Sequence, residues 1–326
     1  MRSRFLDVVI TDIRELTPRI REYRLTSYDR SPLPAYQAGA HIELYLRPGN
    51  GTITRHYSLI GGTSAEDDPP ETYRIAVLRA NGAGGSAHIH DRFRTGTTLK
   101  ISHPKNHFPL SQSGGKTLLI AGGIGITPIF AMLRSLARRK CNFELVYSGC
   151  DERSLAYRED VVRIAGPNAT FHFSRSNPNQ RLDIRALLGR QPEASRVYVC
   201  GPSGMIEATR QAAKSLGWDP IRVRSELFAA GSKENDCEFD VELGRSRRTI
   251  RVGRNTSILD ALTSAGVDAL ADCRRGECGL CPLKVIETDG SIDHRDRYLS
   301  PEVRESGKTL CICVSRIYGS RLKLDA

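Results

Sequence analysis

No apolar run in the 326-residue sequence approaches the ~18 residues a membrane-spanning helix needs, so neither a span nor a membrane partner is expected. The opening stretch, MRSRFLDVVITDIRELTPRI, is charged throughout and lacks a secretory apolar region with a small-residue cleavage site, which predicts a cytoplasmic protein. An even cysteine complement is also missing. There are nine, and an odd number without a secretory signal argues against a disulfide framework. Despite a net charge of +11, there is no Lys/Arg run and no RNA-binding motif, so nucleic acid is not an expected partner. Solvated basic faces, anionic cofactor phosphates and docking of a partner account better for the charge. The excess is uneven. Residues 236–326 hold 15 Lys+Arg against 15 Asp+Glu, leaving 33 against 22 upstream. No internal repeat or low-complexity segment is present.

What is present divides into three patterns, as expected for a chain too long for one core. Residues 1–109 alternate short β-type runs, from FLDVVITDI through HIELYLRP to TTLKISHP, with turn clusters such as Pro48-Gly49-Asn50-Gly51 and Asp67-Asp68-Pro69-Pro70. They predict a small antiparallel β-barrel. Over 110–228 the pattern changes to alternation of strands (KTLLIAGG, FELVYSG, TFHFS, RVYVCG, IRVRSELF) with helices (PIFAMLRSLARRK, SLAYREDVVRIA, SGMIEATRQAAKSLG). That predicts a parallel α/β domain with crossover helices. Residues 229–236 read as a polar linker. In 237–326, CEFDVEL and RTIRV flank Gly244-Arg245-Ser246 as a hairpin, and Thr256 or Ser257 caps a short helix, ILDALTSAG. The fold class is therefore multidomain, α+β and α/β.

Cys273, Cys278, Cys281 and Cys311 stand in the spacing C-x4-C-x2-C-x29-C, the ligand pattern of plant-type [2Fe–2S] ferredoxins. Such a centre carries one electron at a time and does no bond chemistry. Zinc is the rival, but structural zinc sites favour paired C-x2-C knuckles and one half-pair here is widened. Gly276 and Gly279 allow backbone amides to turn inward toward sulfur. Cys313, two residues past Cys311, reads as a buried thiol. Arg274 and Arg275 either screen the cluster and meet a partner carboxylate, or form a solvated basic loop.

Upstream, Arg55-His56-Tyr57-Ser58 carries a cation, an aromatic ring and a hydroxyl on one strand, which suits a flavin's phosphate, isoalloxazine and N5. Alternation points His56 to the opposite face, though it stays in the cofactor-binding set. An ordinary barrel strand is the competing reading. The run Asn81-Gly82-Ala83-Gly84-Gly85-Ser86 leads into a short helix, SAHIHDRF, and offers amides and a hydroxyl to a phosphate; a flexible hairpin loop is its plain alternative. Ala121-Gly122-Gly123-Ile124-Gly125-Ile126-Thr127-Pro128 ends an apolar strand and opens a helix, as a pyrophosphate site does, but without the G-x-G-x-x-G spacing. Cys200-Gly201-Pro202-Ser203-Gly204-Met205 repeats that strand-to-helix form.

RHYSL, NGAGGS, AGGIGITP, VCGPSGM, SELF and the ferredoxin-like tail follow the order and spacing of the phthalate dioxygenase reductase family, which the sequence resembles over essentially its whole length. The resemblance implies an FMN-binding barrel, a nicotinamide domain of ferredoxin-reductase type and a β-grasp [2Fe–2S] domain. It puts flavin contacts at Arg55, Tyr57, Ser58, Ala76, Val77, Arg79, Gly84, Gly85, Ser86 and Thr127; the residues alone leave FAD open. Gly122, Gly123, Gly125, Pro128, Gly201, Pro202 and Met205 fall in the nicotinamide turns. Cys200 is implied beside the nicotinamide ring with Ser58 and Glu226 near, these three being the catalytic candidates. Phe228 either covers the flavin or packs in a core. Where relatives often have Arg this chain has Cys150, followed by Asp151, whose charge favours a free ribose 2′-hydroxyl and hence NADH. Arg153 and Arg175 are the rival, as ligands of a 2′-phosphate.

The activity so implied is a two-to-one electron conversion, from NADH through FMN and the cluster to a terminal Rieske-type oxygenase in a transient complex, by a monomeric reductase. A plant-type centre at roughly −400 mV lies downhill to a Rieske centre at about −150 mV or above. Two other readings stand beside it: a free-standing flavin reductase or diaphorase with a structural cluster, and a non-catalytic electron carrier. The intact nicotinamide turns count against the carrier.

Overall fold

The computed structural model describes residues 5–47, 53–61, 70–81, 84–112, 115–175, 182–228 and 235–326. The Pro48–Gly51 turn, most of the Asp67–Pro70 turn, Gly82 and Ala83 of the glycine loop, and the linker from Ala229 to Glu234 lie outside the described residues. The chain separates into two compact units, 1–228 and 229–326.

In the first unit β1 (Phe5–Thr17), β2 (Ile20–Ser27), β3 (His41–Leu46), β4 (Ile53–Ser58), β5 (Thr72–Leu78), α1 (Gly85–Arg92) and β6 (Thr98–Ser102) come first. The strands make one antiparallel sheet in the order β4-β3-β6-β1-β2-β5. Its two edges approach, with the Ile60 N–H donating to the Arg74 carbonyl at 2.9 Å, so the sheet curls into the expected barrel form. Ile10, Leu25, Ile42 and Leu44 are wholly buried inside it, each contributing about 1.5–3 kcal/mol through removal from water.

There follow β7 (Thr117–Gly122), α2 (Ile126–Arg138), β8 (Phe143–Gly149), α3 (Arg158–Ala165), β9 (Ala169–Phe173), α4 (Ile184–Gly189), β10 (Arg196–Cys200), α5 (Ser203–Ser215) and β11 (Val223–Glu226). They build a parallel sheet in the order β11-β10-β7-β8-β9. Every residue of β7 is buried, as a central strand covered on both faces requires. One expected helix is shorter than its sequence suggests. SLAYREDVVRIA breaks at Tyr157, whose φ is 59°, and only Arg158–Ala165 is α-helical. The break is tertiary in origin: the Tyr157 ring stacks on Phe130 at 4.9 Å and its hydroxyl donates to Glu22 at 2.7 Å.

The second unit contains β12 (Phe239–Leu243), β13 (Thr249–Val252), α6 (Ile258–Ser264), β14 (Pro282–Thr288), β15 (Ser291–Asp293), α7 (Pro301–Glu305), β16 (Thr309–Cys311), β17 (Arg316–Tyr318) and β18 (Arg321–Leu324). Its main sheet runs β13-β12-β18-β14-β16 with β12 and β18 parallel, and β15 pairs with β17 separately. The predicted cap is Ser257, whose Oγ accepts from the Asp260 N–H at 3.0 Å. The cysteine loop lies between α6 and β14.

Candidate functional site

The chain builds its parallel sheet outward from β7 through β8 and β9, then returns to the other side of β7 with β10 and β11. The order therefore reverses between β7 and β10, the place where sheets of this kind bind ligands beyond their carboxyl ends. Both glycine turns leave the sheet there and abut. A Cβ on Gly122 would lie 2.6 Å from Pro202 Cδ and 3.0 Å from Met205 Sδ, and one on Gly201 would lie 3.0 Å from the Gly122 Cα. On Gly125 it would run into the Cys200 carbonyl, and Gly123 has a φ of 53°. Side chains are excluded from the crevice for physical reasons, which leaves backbone amides and the start of α2 facing it. Thr127 is buried in the first turn with Pro128, its hydroxyl donating to the Ile124 carbonyl at 3.1 Å. Parallel register sets Cys200 beside Ala121 and Glu226 beside Cys200, so thiol and carboxyl share the carboxyl edge and both are buried.

At the end of β8, Asp151 accepts from the Ser154 N–H at 3.0 Å and from Arg175 Nη1 at 2.6 Å. Arg175, one of the two arginines expected to rival it, is thus its ion-pair partner. Cys150 is exposed.

The structure brings the two halves of the flavin candidate together. A Cβ on Gly85 would sit 2.9 Å from Arg55 Cγ and Nε, so the guanidinium stem lies against the start of α1 where a phosphate cradle needs a cation. Ser86 Oγ accepts from the Ala80 N–H at 3.1 Å, tying the loop to β5. Gly84 precedes the helix in extended backbone, and among the described residues none lies within 4 Å of where its Cβ would stand. Burial pushes the Tyr57 phenol up, and Ser58 ends the strand buried. Ala76 packs toward α2 and Val77 into the barrel core, the Val77 carbonyl bonded to His90 Nε2 at 2.9 Å. Arg79 pairs with Asp91 at 2.6 Å, and a cavity of about 480 Å³ bounded by Arg19, Arg79, Ala80 and Asn81 opens beside it. His56 stacks on His41, centroids 5.1 Å apart, and faces Glu43 at 3.5 Å, as the strand alternation expects. Phe228 is 39% exposed, which removes the core-packing reading.

In the second unit the amides of Arg275, Glu277 and Cys278 point at Cys273 Sγ from 3.4, 3.4 and 3.3 Å. The loop achieves this with left-handed residues at Arg274, Gly276 and Gly279. At Gly276 a Cβ would lie 2.7 Å from the Asp296 Cα and Val314 Cγ2, and at Gly279 it would overlap the Tyr298 ring. Both glycines are therefore required twice over, by φ and by space. Sequence spacing set Cys313 aside, yet its Sγ lies 3.1 Å from Cys281 Sγ. The thiols of Cys311 and Cys313 both hydrogen-bond the Cys281 sulfur, which favours its thiolate. A thiolate among converging thiols, ringed by inward amides, is the donor set that an iron–sulfur cluster takes. Arg274 and Arg275 are not a solvated basic loop: Arg274 pairs with Asp260 at 2.6 Å, and Arg275 is 5% exposed beside Glu277.

Comparison with known proteins agrees with this division. Residues 241–318 match the family model of the 2Fe-2S iron-sulfur cluster binding domain and residues 119–211 that of the oxidoreductase NAD-binding domain. The beta subunit of a heme-dependent oxidative N-demethylase from Ectopseudomonas mendocina (strain ymp) is 39% identical over 99% of both chains. The carnitine monooxygenase reductase subunit of Escherichia coli (strain K12) is 35% identical over 98% of both. A solved structure of phthalate dioxygenase reductase, described as modular for electron transfer from pyridine nucleotides to [2Fe–2S], superposes with a TM-score of 0.85 at 30% identity. It covers 99% of this chain and 98% of that one.

Proposed function

The chain belongs to the phthalate dioxygenase reductase family, and we propose that it passes electrons from NADH through FMN and a [2Fe–2S] cluster singly to a terminal oxygenase of Rieske type. The observation that carries this reading is the abutment of the two glycine turns at the β7/β10 crevice, with Cys200 and Glu226 in register at its rim. When bound, the flavin takes a hydride and gives up electrons one at a time, and the cluster accepts them singly.

The chain's own residues position and insulate. Arg55 with the amides of Gly84, Gly85 and Ser86 would hold the FMN phosphate, Tyr57 and Thr127 would flank the ring system, and Ser58 would hydrogen-bond near its reactive edge. The crevice amides receive the pyrophosphate of NADH, while Cys200 and Glu226 orient the nicotinamide. Asp151 offers its carboxylate to a ribose diol and repels a 2′-phosphate.

For the cluster, Cys273, Cys278 and Cys281 supply three thiolates, and the fourth ligand comes from the Cys311/Cys313 pair. We assign it to Cys313. Both thiols bond to Cys281, but the Cys313 sulfur also receives a backbone hydrogen bond from Gly276, so it shares the amide cradle of the loop. Cys311 is held in β16 opposite Pro282, whereas Cys313 lies in the turn that follows the strand.

Cys281→Ser separates the rival enzymes. Loss of NADH-dependent cytochrome c reduction with ferricyanide reduction intact supports single-electron exit through the cluster. Survival of both makes the protein a diaphorase with a structural cluster, and absence of both from the native protein makes it a carrier. A heme-dependent demethylase is a second candidate acceptor, favoured by the 39% identical relative. Stopped-flow oxidation of the reduced protein by each acceptor type distinguishes them.

A further inference from the structure

Between β15 and α7 the chain passes through an irregular turn, residues 294–299, that carries no cluster ligand. The turn is pressed against the cysteine loop at three points. The Arg297 N–H donates to the Gly276 carbonyl at 2.8 Å, the Tyr298 ring fills the space at Gly279, and the Asp296 Cα fills that at Gly276. At the centre of the turn the Asp296 side chain is 0% exposed. Its Oδ2 accepts from the Leu299 N–H at 2.9 Å and its Oδ1 from the Ser315 hydroxyl at 3.4 Å. Ser315 is itself wholly buried, two residues beyond Cys313. Asp296 therefore touches both segments that carry cluster ligands: the loop of Cys273, Cys278 and Cys281, and the turn that follows β16.

Capping a turn needs only the Leu299 bond, which asparagine or serine makes as well. It does not need burial, and a carboxylate removed from water is costly unless it is paired and hydrogen-bonded. The pairing comes from Arg304, whose Nη2 donates to the Asp296 carbonyl at 2.6 Å and lies 3.5 Å from Oδ2, with His294 Nδ1 3.6 Å from Oδ1. Arg304 stands on α7 with its side chain one-third exposed, so water screens its charge more than that of the carboxylate. The Asp296 charge also reaches the sulfurs. After the bond to Cys281 and burial, it is the next influence that pushes the Cys311 thiol up.

We propose that Asp296 is a positioning residue of the cluster site, joining the two ligand-bearing segments and holding the cluster's reduction potential down through its buried charge. The inference rests on the cluster reading above. The potential of such a centre follows the net charge, hydrogen bonds and exposure around it. Reduction adds one negative charge at the sulfurs, the electron being supplied by the reduced flavin. A fixed anion in a poorly screened interior opposes that addition, and Arg304 offsets part of it. A lower potential widens the drop to a Rieske-type acceptor.

The test is a redox titration of the cluster, followed by EPR, on the full-length protein loaded with flavin and cluster at one fixed pH. Asp296→Asn keeps the shape and the Leu299 bond but removes the charge. At the native midpoint its ratio of reduced to oxidised cluster should rise from one to at least three. Arg304→Gln removes the offsetting cation, and its ratio should fall at least twofold. Loosened packing would move both variants in the same direction, and that result overturns the proposal. If Asp296→Asn takes up no cluster, the sign of Arg304→Gln decides: a lower ratio supports the proposal, an equal or higher one overturns it. A native protein without a reducible iron–sulfur signal overturns the cluster reading itself, whereas a native cluster whose potential neither variant moves overturns this inference alone.

Discussion

Cys311 and Cys313 are two residues apart, and the chain turns immediately after β16, so the second thiol returns toward the cysteine loop instead of continuing along the sheet. Counting residues alone favours Cys311; the geometry favours Cys313. Cys313→Ser is expected to lose the visible absorption and EPR signal and most of the iron, while Cys311→Ser keeps about two irons per chain. The reverse outcome would restore the sequence-based ligand set. Asp151 permits a second residue-scale prediction. Its carboxylate occupies the end of β8 with Arg175 bound to it at 2.6 Å, so removing it frees a cation where a 2′-phosphate would lie. Asp151→Ala should narrow the preference for NADH over NADPH by about tenfold in kcat/KM, roughly 1.4 kcal/mol. A native enzyme that uses NADPH as well as NADH would dispose of the specificity argument altogether.

Element boundaries were legible where local chemistry sets them. Ser257 caps α6 through its own hydroxyl, Gly217 takes the left-handed turn after α5, and glycines mark both turns at the β7/β10 crevice. They were illegible where a distant residue decides. The break at Tyr157 depends on Phe130 and Glu22, the latter 135 positions away in sequence, and no local pattern announces it. Helix α4 is absent from the sequence-based expectation although Asp183 caps it, accepting from the Ala186 N–H at 2.9 Å before an apolar run, which is a local signal. The same seam gives a pH prediction. Burial alone would raise the Glu22 carboxyl, but Arg74, Tyr157 and Arg14 outweigh it and hold it below the ordinary value. A depressed carboxyl contributes stability that is complete above its unfolded-state pKa of about 4.3 and lost as pH falls through the folded one. Tyr157→Phe removes one hydrogen bond to this charge and should cost about 1.5–3 kcal/mol near neutral pH. In the variant the acid transition moves to higher pH. A variant that unfolds at the native acid midpoint, followed by circular dichroism, would falsify the role of Glu22.

At the scale of the whole molecule, the hydrophobic cores respect the division of the chain. One core contains Phe239, Val241, Leu259, Leu310 and Leu324 and draws all its members from residues 239–326, while the other three draw theirs from residues before 228. Each unit thus has its own apolar interior, which is what independent folding requires. The first unit holds every flavin and nicotinamide candidate, and the second every cluster ligand. A chain ended after Phe228 should therefore fold, bind flavin and reduce ferricyanide with NADH at a rate within about threefold of the full protein, yet reduce cytochrome c poorly. Acid extraction of that fragment should release FMN, since Arg55 and the Gly84–Ser86 amides suit one terminal phosphate; FAD in the extract would rule out the single-phosphate reading. Residues 235–326 alone should take up two irons and show the [2Fe–2S] spectrum without flavin. If the shortened chain is insoluble or unable to oxidise NADH, the two cores are not sufficient by themselves, and the electron path depends on both units being present before either site is formed.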